Sequence, residues 1–150
     1  MSRKQGFTLV ETLIVVVLIG AVTLIGYPRV VSGLAKNNLR SSRTTMANMF
    51  TMARAVATQR NRKTWINFNG NNVVITASPR TVAGAGTVDT IGAVAKLDGL
   101  YGVALSAPVG SVAYDPRGFG SGLGTPLTFM VTKSGKRDSV MVDGLGRVTK

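Results

Sequence analysis

The chain has 150 residues, a formal net charge of +12 and neither cysteine nor histidine. This composition excludes metal sites built from Cys or His, Ser-His-Asp and Cys-His catalytic sites, and stabilisation by disulfide bonds. Glu11 is the single glutamate among only six acidic residues.

Residues 7–27 are the first predicted element, an apolar run of 21 residues with one charged side chain, Glu11. About 20 apolar residues are enough for a helix to cross a bilayer. A secretory signal peptide would have a shorter apolar core and a small-residue cleavage site after it, and no A-x-A pattern follows this run. A buried core helix is disfavoured because a domain of this size rarely hides a helix that is apolar on every face. We therefore predict a transmembrane helix over residues 7–27.

Glu11 needs a partner, because a carboxylate inside a transmembrane helix costs roughly 2–3 kcal/mol or more and usually marks a functional position. The polar leader, residues 1–6, ends in Gly6. Cleavage after Gly6 would create an α-amine on Phe7, one helical turn from Glu11. That amine could come from the same chain, since residues i and i+4 are neighbours on a helix, or from an adjacent subunit. The sequence leaves both alternatives open.

The run from Gly6 to Glu11 reads GFTLVE and is followed by an apolar stretch and Pro28. It resembles the class III leader of type IV pilins and type II secretion pseudopilins. The resemblance implies that a prepilin peptidase cleaves between Gly6 and Phe7 and methylates the amine of Phe7. It also implies that Glu11 pairs with the amine of a neighbouring subunit during assembly. Such a pair would set the stagger of subunits, because a subunit out of register would leave two charges unpaired in an apolar environment.

Residues 28–62 are predicted to continue the same helix as an amphipathic segment, in which Pro28 causes a kink without ending the helix. Lys36, Arg40 and Arg43 share one face, and Arg54 lies off the apolar stripe. The stripe, which we expect to pack on a sheet, consists of Val30, Val31, Leu34, Leu39, Met46, Met49, Phe50, Ala53, Val56 and Ala57.

Residues 63–150 are predicted to form an antiparallel β domain. Residues 65–68 and 73–76 flank Asn69-Gly70-Asn71, which is a strong hairpin signal. Further strands are predicted at 100–105, 111–114, 127–132, 140–142 and 147–149, and loops at 78–92 and 116–126. The predicted fold class is α+β, with a long N-terminal helix, first transmembrane and then amphipathic, packed on an antiparallel sheet as in pilins.

The stretch from Asp115 to Val148 resembles the C-terminal region of the pseudopilin H/FimT (GspH) family. In that family a loop with Phe and Gly precedes a hairpin and a closing Gly-Arg-Val, here residues 146–148. Major pilins with this type of leader often close a C-terminal loop with a disulfide, and the lack of cysteine argues against a major pilin. The resemblance implies a minor pilin or pseudopilin.

The charge distribution suggests a second type of partner. No acidic residue occurs from Thr12 to Val88, and loss of Arg3 and Lys4 with the leader leaves a net charge of +10. A solvated basic surface near anionic lipid and a polyanion partner such as DNA both explain this excess. FimT-like minor pilins linked to DNA uptake use a basic motif after the closing Gly-Arg, and Thr149-Lys150 replaces its later arginine here. The candidate DNA-binding residues, predicted to meet at one end of the sheet, are Lys133, Lys136, Arg137, Arg147 and Lys150.

Aromatic side chains can add stacking to such a site. Phe119, in the glycine-rich loop, is the candidate for stacking on single strands, whereas Trp65 and Phe129 are predicted to lie in the core. Five aspartates are scattered among predicted turns, so no clustered oxygen ligands for calcium are expected.

These observations predict a structural subunit of a type II secretion pseudopilus or a type IV pilus, with a DNA-binding minor pilin as the alternative. No catalytic residue, cofactor or metal is predicted. The expected partners are other pilin or pseudopilin subunits, prepilin peptidase, the inner-membrane assembly platform, the lipid bilayer and, in the alternative, DNA. The expected location is the inner membrane, crossed once, with the globular domain in the periplasm; once assembled, the filament is expected to be extracellular or periplasmic. The expected divisions are a cleaved leader (1–6), a transmembrane helix (7–27), its amphipathic continuation (28–62) and the globular domain (63–150).

Overall fold

The structure is a computed structural model that describes residues 8–79 and 87–149, and the chain forms two compact units, residues 1–34 and 35–150. The first element, α1, spans Leu9–Gln59 and belongs to both units. The remaining elements, in chain order, are β1 Thr64–Asn69, β2 Asn72–Ala77, β3 Asp89–Lys96, α2 Leu97–Tyr101, β4 Ala104–Ser106, β5 Ser111–Tyr114, β6 Gly120–Ser121, β7 Leu127–Lys133, β8 Lys136–Val142 and β9 Val148–Thr149.

The first unit contains the apolar part of α1. Its described apolar side chains are exposed, and an 18-residue window of α1 has a mean hydropathy of 2.5 with none of its residues buried. By length and composition, α1 is able to cross a membrane. Val30, Val31 and Leu34 belong to this unit and are exposed, so they lie outside the packed part of the predicted stripe. Pro28 lies inside α1, as predicted.

The C-terminal end of α1 comes three residues earlier than predicted. The helix stops at Gln59 because Asn61 adopts a left-handed conformation with φ of +50°. The amide of Arg62 then donates to the carbonyl of Ala57 at 3.1 Å, and the amide of Asn61 donates to the carbonyl of Thr58 at 3.4 Å. This pair of hydrogen bonds is the Schellman arrangement, which satisfies the last carbonyls of a helix.

The second unit packs one face of α1 against its sheets. The predicted stripe is confirmed from Leu39 onward, and Met49 lies half-buried against the same core. The buried residues of α1 are Ala35, Leu39, Ser42, Met46, Ala47, Phe50, Ala53, Val56 and Ala57. Phe50 contacts both sheets, since its ring lies 6.0 Å from that of Phe68 on β1 and 5.0 Å from that of Phe129 on β7.

Two antiparallel sheets complete the second unit. The first has the strand order β3-β2-β1-β5-β6, and the second has the order β4-β7-β8-β9. The predicted hairpin is confirmed, with Asn69 opposite Asn72 and Gly70 at φ of +59° in the turn. The described part of the unit therefore has the predicted α+β architecture of a long helix on antiparallel sheet.

The prediction between residues 78 and 105 is partly wrong. The expected loop 78–92 contains the start of β3, because Asp89 to Ile91 pair with β2; residues 80–86 of that loop lie outside the described range. The expected strand 100–105 is replaced by α2 and the short β4. The helix α2 ends at Tyr101 and is capped by Gly102, whose left-handed φ of +61° lets its amide donate to the carbonyl of Asp98 at 2.7 Å.

The aromatic predictions for the core are half confirmed. Phe129 is fully buried, as expected. Trp65 is only half-buried and lies on the opposite face of β1 from buried Ile66, with the ammonium of Lys63 5.6 Å from its ring centroid. Every buried apolar side chain in the described ranges lies between Ala35 and Val142. The second unit thus has a core of its own, and we expect it to fold without the first.

Candidate functional site

Glu11 lies in the first turn of α1 and is exposed, like the apolar side chains around it. Its backbone amide donates to the hydroxyl of Thr8 at 3.2 Å, so Thr8 caps the helix with the Thr-x-x-Glu spacing of a capping box. Within residues 8–79 and 87–149, no cation forms an ion pair with Glu11. Gly6 and Phe7, the predicted cleavage and methylation positions, lie outside the described residues, so their roles stay predictions.

The predicted cluster of five basic residues at one end of the sheet is wrong. Lys133 and Lys136 face each other across the turn between β7 and β8, whereas Arg147 follows the opposite end of β8. A strand of seven residues separates the two positions by roughly 20 Å. Lys150 lies outside the described residues. Lys133 is moreover held by α2, since its ammonium donates to the carbonyl of Tyr101.

A different basic surface forms where the β7–β8 turn meets α1. Lys136 and Arg137 join Lys36, Arg40 and Arg43, three residues that share a face of α1 because they are spaced by four and three. We call this surface the basic groove; it has a volume of about 730 Å³ and is lined by Lys36, Leu39, Arg40, Arg43, Lys136, Arg137 and Asp138.

The charges in the basic groove are unbalanced. Five cationic side chains surround one carboxylate, that of Asp138. This carboxylate is already engaged, because it accepts the guanidinium of Arg43 at 3.2 Å and the amide of Ser139 at 2.9 Å. Nε of Arg43 is buried and has no hydrogen-bond partner among the described atoms. The groove therefore presents an excess of positive charge and suits an anion.

At the opposite end of the second unit, Asp115 and Asp143 organise two turns with the same hydrogen-bond pattern. Oδ1 of each aspartate accepts the amides two and four residues later, at 3.0 and 2.8 Å for Asp115 and at 3.0 and 2.7 Å for Asp143. Oδ2 of each accepts a guanidinium, from Arg117 at 3.2 Å and from Arg147 at 2.7 Å. We call these segments, residues 115–119 and 143–147, the aspartate turns.

The hydrogen bonds of the aspartate turns favour ionised carboxylates. The amide of Phe119 is the main cause that lowers the pKa of Asp115 below its ordinary value. The amide of Arg147, followed by its guanidinium, lowers the pKa of Asp143 in the same way. In each turn, the negative charge of the carboxylate is therefore balanced by amides and a guanidinium of the same turn.

Tyr114 and Gly146 join the two turns. The buried hydroxyl of Tyr114 donates to the carbonyl of Gly146 at 3.1 Å, and the amide of Gly120 donates to the carbonyl of Leu145 at 3.2 Å. Burial raises the pKa of Tyr114 to about 12, so the phenol stays protonated at neutral pH. The Gly146-Arg147-Val148 segment therefore closes the second unit against β5.

A second group of arginines surrounds the aspartate turns. Arg54 and Arg147 line a cavity of about 260 Å³ beside Gly146. Arg54 lies beside Gly118, with its Nε 3.3 Å from the position that a Cβ on this glycine would occupy. The next residue in the chain, Phe119, is 46% exposed. We call Arg54, Arg117, Phe119 and Arg147 the loop cluster. It retains the predicted candidates Arg147 and Phe119 but separates them from the basic groove.

Helix residues complete both surfaces, which the sequence alone does not predict. Lys36, Arg40 and Arg43 share a face of α1, and their spacing is the only signal in the sequence that they act together. Their meeting with Lys136 and Arg137 depends on a contact between segments almost 100 residues apart, which no local pattern reveals. The repeated Asp-x-x-Gly of the two turns, at 115–118 and 143–146, was a detectable signal for the shared hydrogen-bond pattern.

Two known protein families match the chain. The prokaryotic N-terminal methylation motif matches residues 1–27, and the family described as type II transport protein GspH matches residues 44–146. No curated protein matches the chain significantly.

Solved structures with a similar fold include the type IV minor pilin FimU of Pseudomonas aeruginosa strain PAO1 in two crystal forms. The first has a TM-score of 0.59 at 16% identity, covering 76% of this chain and 88% of FimU. The second has a TM-score of 0.56 at 17% identity, covering 74% of this chain and 90% of FimU. At these identities the similarity shows a common fold. The apolar part of α1 gives the chain a membrane anchor. The GspH match covers more than half of the chain, so the protein belongs to the GspH family of minor pilins and pseudopilins, which are structural rather than enzymatic.

Proposed function

We propose that the protein is a minor subunit of a type II secretion pseudopilus or a type IV pilus and that it assembles through α1. After a prepilin peptidase removes residues 1–6, the methylated amine of Phe7 is neutralised by Glu11 of a neighbouring subunit. The observation that supports this role is an exposed carboxylate on an apolar helix with no ion-pair partner among the described residues. Because an isolated charge in lipid is costly, an intermolecular cation would stabilise the assembled state.

The topology that this role requires is a single crossing over residues 7–27, with the residues that follow on the periplasmic side of the inner membrane. The amphipathic continuation ends at Gln59 rather than Arg62 in this arrangement. Other pilin subunits and the assembly platform are the partners of α1.

Replacement of Glu11 tests the assembly role. We expect Glu11→Leu and Glu11→Gln to insert in the membrane and to lose residues 1–6, as mass spectrometry of the mature protein would show. Both variants should be missing from sheared filaments, because neither can neutralise the amine of the next subunit. Val16→Leu, an apolar change in the same helix, is the matched control. Wild-type amounts of Glu11→Leu in filaments would refute the role.

DNA binding is the second candidate function, and the loop cluster favours it. An exposed phenylalanine beside three arginines combines a stacking surface with phosphate-binding charges, which is the arrangement that binds single strands without reading sequence. Arg117 and Arg147 each pair with an aspartate, so they add less to the positive potential of the loop cluster than a free arginine would. Arg54 makes no ion pair within the described ranges.

Fluorescence anisotropy with a labelled single-stranded oligonucleotide, at two salt concentrations, tests this candidate on the second unit. Binding should weaken steeply as salt rises, and Phe119→Ala should lower the affinity about 10-fold through loss of stacking. Lys96→Ala, which removes a charge far from the loop cluster in sequence, serves as the control. The DNA function would be refuted by an absence of binding at low salt.

A further inference from the structure

The basic groove carries more positive charge than the fold needs. Arg43 makes an ion pair with Asp138 that joins α1 to the second sheet. Within the described ranges, Lys36, Arg40 and Arg137 make no ion pair. Like charges that face one another across a groove repel, and this repulsion is relieved when an anion enters. We propose that the basic groove binds the phosphate headgroup of an anionic membrane phospholipid.

The membrane anchor makes lipid the nearest source of such an anion. Lys36 follows Tyr27, the last residue of the apolar run, by only nine residues along the chain. Basic clusters next to a membrane-spanning helix attract anionic lipid by about 1 kcal/mol per residue near the surface. The proposal needs the membrane anchor but not the assembly role of Glu11, so the two can fail separately.

The lining of the groove suits a lipid headgroup better than a nucleic acid. A volume of about 730 Å³ lies within the range of small-molecule sites, and a phosphoglycerol group fits such a volume. Leu39 is the one apolar residue of the lining and is itself buried, so charged side chains make up almost all of the surface that a headgroup would meet. None of the lining residues is aromatic, so bases of a single strand would find no stacking partner. The loop cluster, which has Phe119, is the better candidate for DNA.

Headgroup binding would give the anchored subunit a lipid contact that it loses on leaving the bilayer for a filament. The contact would therefore favour the membrane pool over the assembled state. Basic residues usually lie on the cytoplasmic flank of a membrane-spanning helix, whereas this chain has an excess of Lys and Arg on the exported side. Headgroup binding would explain that excess.

Lysine acetylation of the full chain in nanodiscs tests the proposal. One set of nanodiscs contains pure phosphatidylcholine, and the other contains phosphatidylcholine mixed with phosphatidylglycerol. Residue-specific acetylation rates come from mass spectrometry. We expect Lys36 to react about 5-fold more slowly with phosphatidylglycerol present. Attraction of about 1 kcal/mol between one basic residue and anionic lipid corresponds to about a 5-fold change in binding. Lys63, an exposed lysine outside the groove, should react at the same rate in both lipids.

Charge reversal locates the effect. Arg40→Glu combined with Arg137→Glu should abolish the lipid-dependent protection of Lys36. The matched control, Arg60→Glu combined with Lys96→Glu, changes the net charge equally outside the groove and should keep the protection. If circular dichroism shows that the first variant is misfolded, Arg40→Gln combined with Arg137→Gln replaces it.

Three outcomes would overturn the proposal. In the first, the acetylation rate of Lys36 is the same in both lipids. In the second, acetylation of Lys63 slows by the same factor as that of Lys36, which would indicate a general surface effect. In the third, a short single-stranded oligonucleotide added to phosphatidylcholine nanodiscs would protect Lys36 as well as phosphatidylglycerol does, which would assign the groove to DNA.

Discussion

Among the three glycines of the aspartate turns, Gly146 leaves the least room for a Cβ atom. Its φ is +79°, and a Cβ there would lie 2.5 Å from Cε1 of Tyr114 and 2.9 Å from the amide nitrogen of Gly120. Contacts this short force a shift of either a buried ring or a backbone segment. The glycine of the closing Gly-Arg-Val is thus required by packing, independently of any ligand that Arg147 binds.

We predict that Gly146→Ala destabilises the second unit by about 3 kcal/mol or more, from the left-handed conformation and the overpacking together. Gly122→Ala is the matched control, since Gly122 has the same φ of +79° with no atom within 4 Å of its Cβ position. It should cost only about 1 kcal/mol. Urea unfolding of residues 35–150 measures both, and equal losses would contradict the packing argument.

Among the elements, the aspartate turns connect ionisation to stability. Both carboxylates have a pKa that is lowered in the folded state, by amide hydrogen bonds first and by an arginine second. A lowered pKa stabilises the fold at pH values above the ordinary aspartate value of 3.8. That stabilisation is lost as the pH falls through the folded-state pKa. The reason is that the unfolded chain binds a proton at these carboxyls more readily than the folded chain does.

We therefore expect the urea midpoint of the second unit to fall as the pH is lowered from about 5 toward 2. Asp143→Asn should lower the midpoint at pH 7 and weaken this pH dependence, since the amide cannot pair with the guanidinium of Arg147. Asp98→Asn removes a carboxylate outside both turns and is the control. The same pH dependence in Asp143→Asn and the unmodified unit would show that this turn does not contribute.

For the whole molecule, the division into two units separates anchoring from folding. The described apolar side chains of residues 9–34 are exposed, whereas the buried apolar side chains of the described ranges all lie between Ala35 and Val142. The first unit therefore depends on lipid or on other helices to cover its surface, and the second does not.

We predict that residues 35–150 fold cooperatively in solution and that thermal unfolding, followed by circular dichroism, gives a single transition. Phe129→Ala should lower the stability by about 3–5 kcal/mol, because it empties the centre of the Phe50, Phe68 and Phe129 cluster. Phe119→Ala, at an exposed phenylalanine, should change it little. A broad, non-cooperative transition for the unmodified unit would contradict this account.

The sequence by itself determined the features that depend on neighbouring residues. The apolar run, the leader ending in Gly6, the periodic stripe on α1 and the hairpin at Asn69-Gly70-Asn71 each have a local signature. The leader and the apolar run together indicate the class of protein. Only the tertiary structure decided which cations meet. Arg147 lies at the far end of β8 from Lys136, and α1 supplies three of the five cations of the basic groove. Such contacts depend on strand register and on helix-to-sheet packing, which are set by the burial of the whole core rather than by any segment alone.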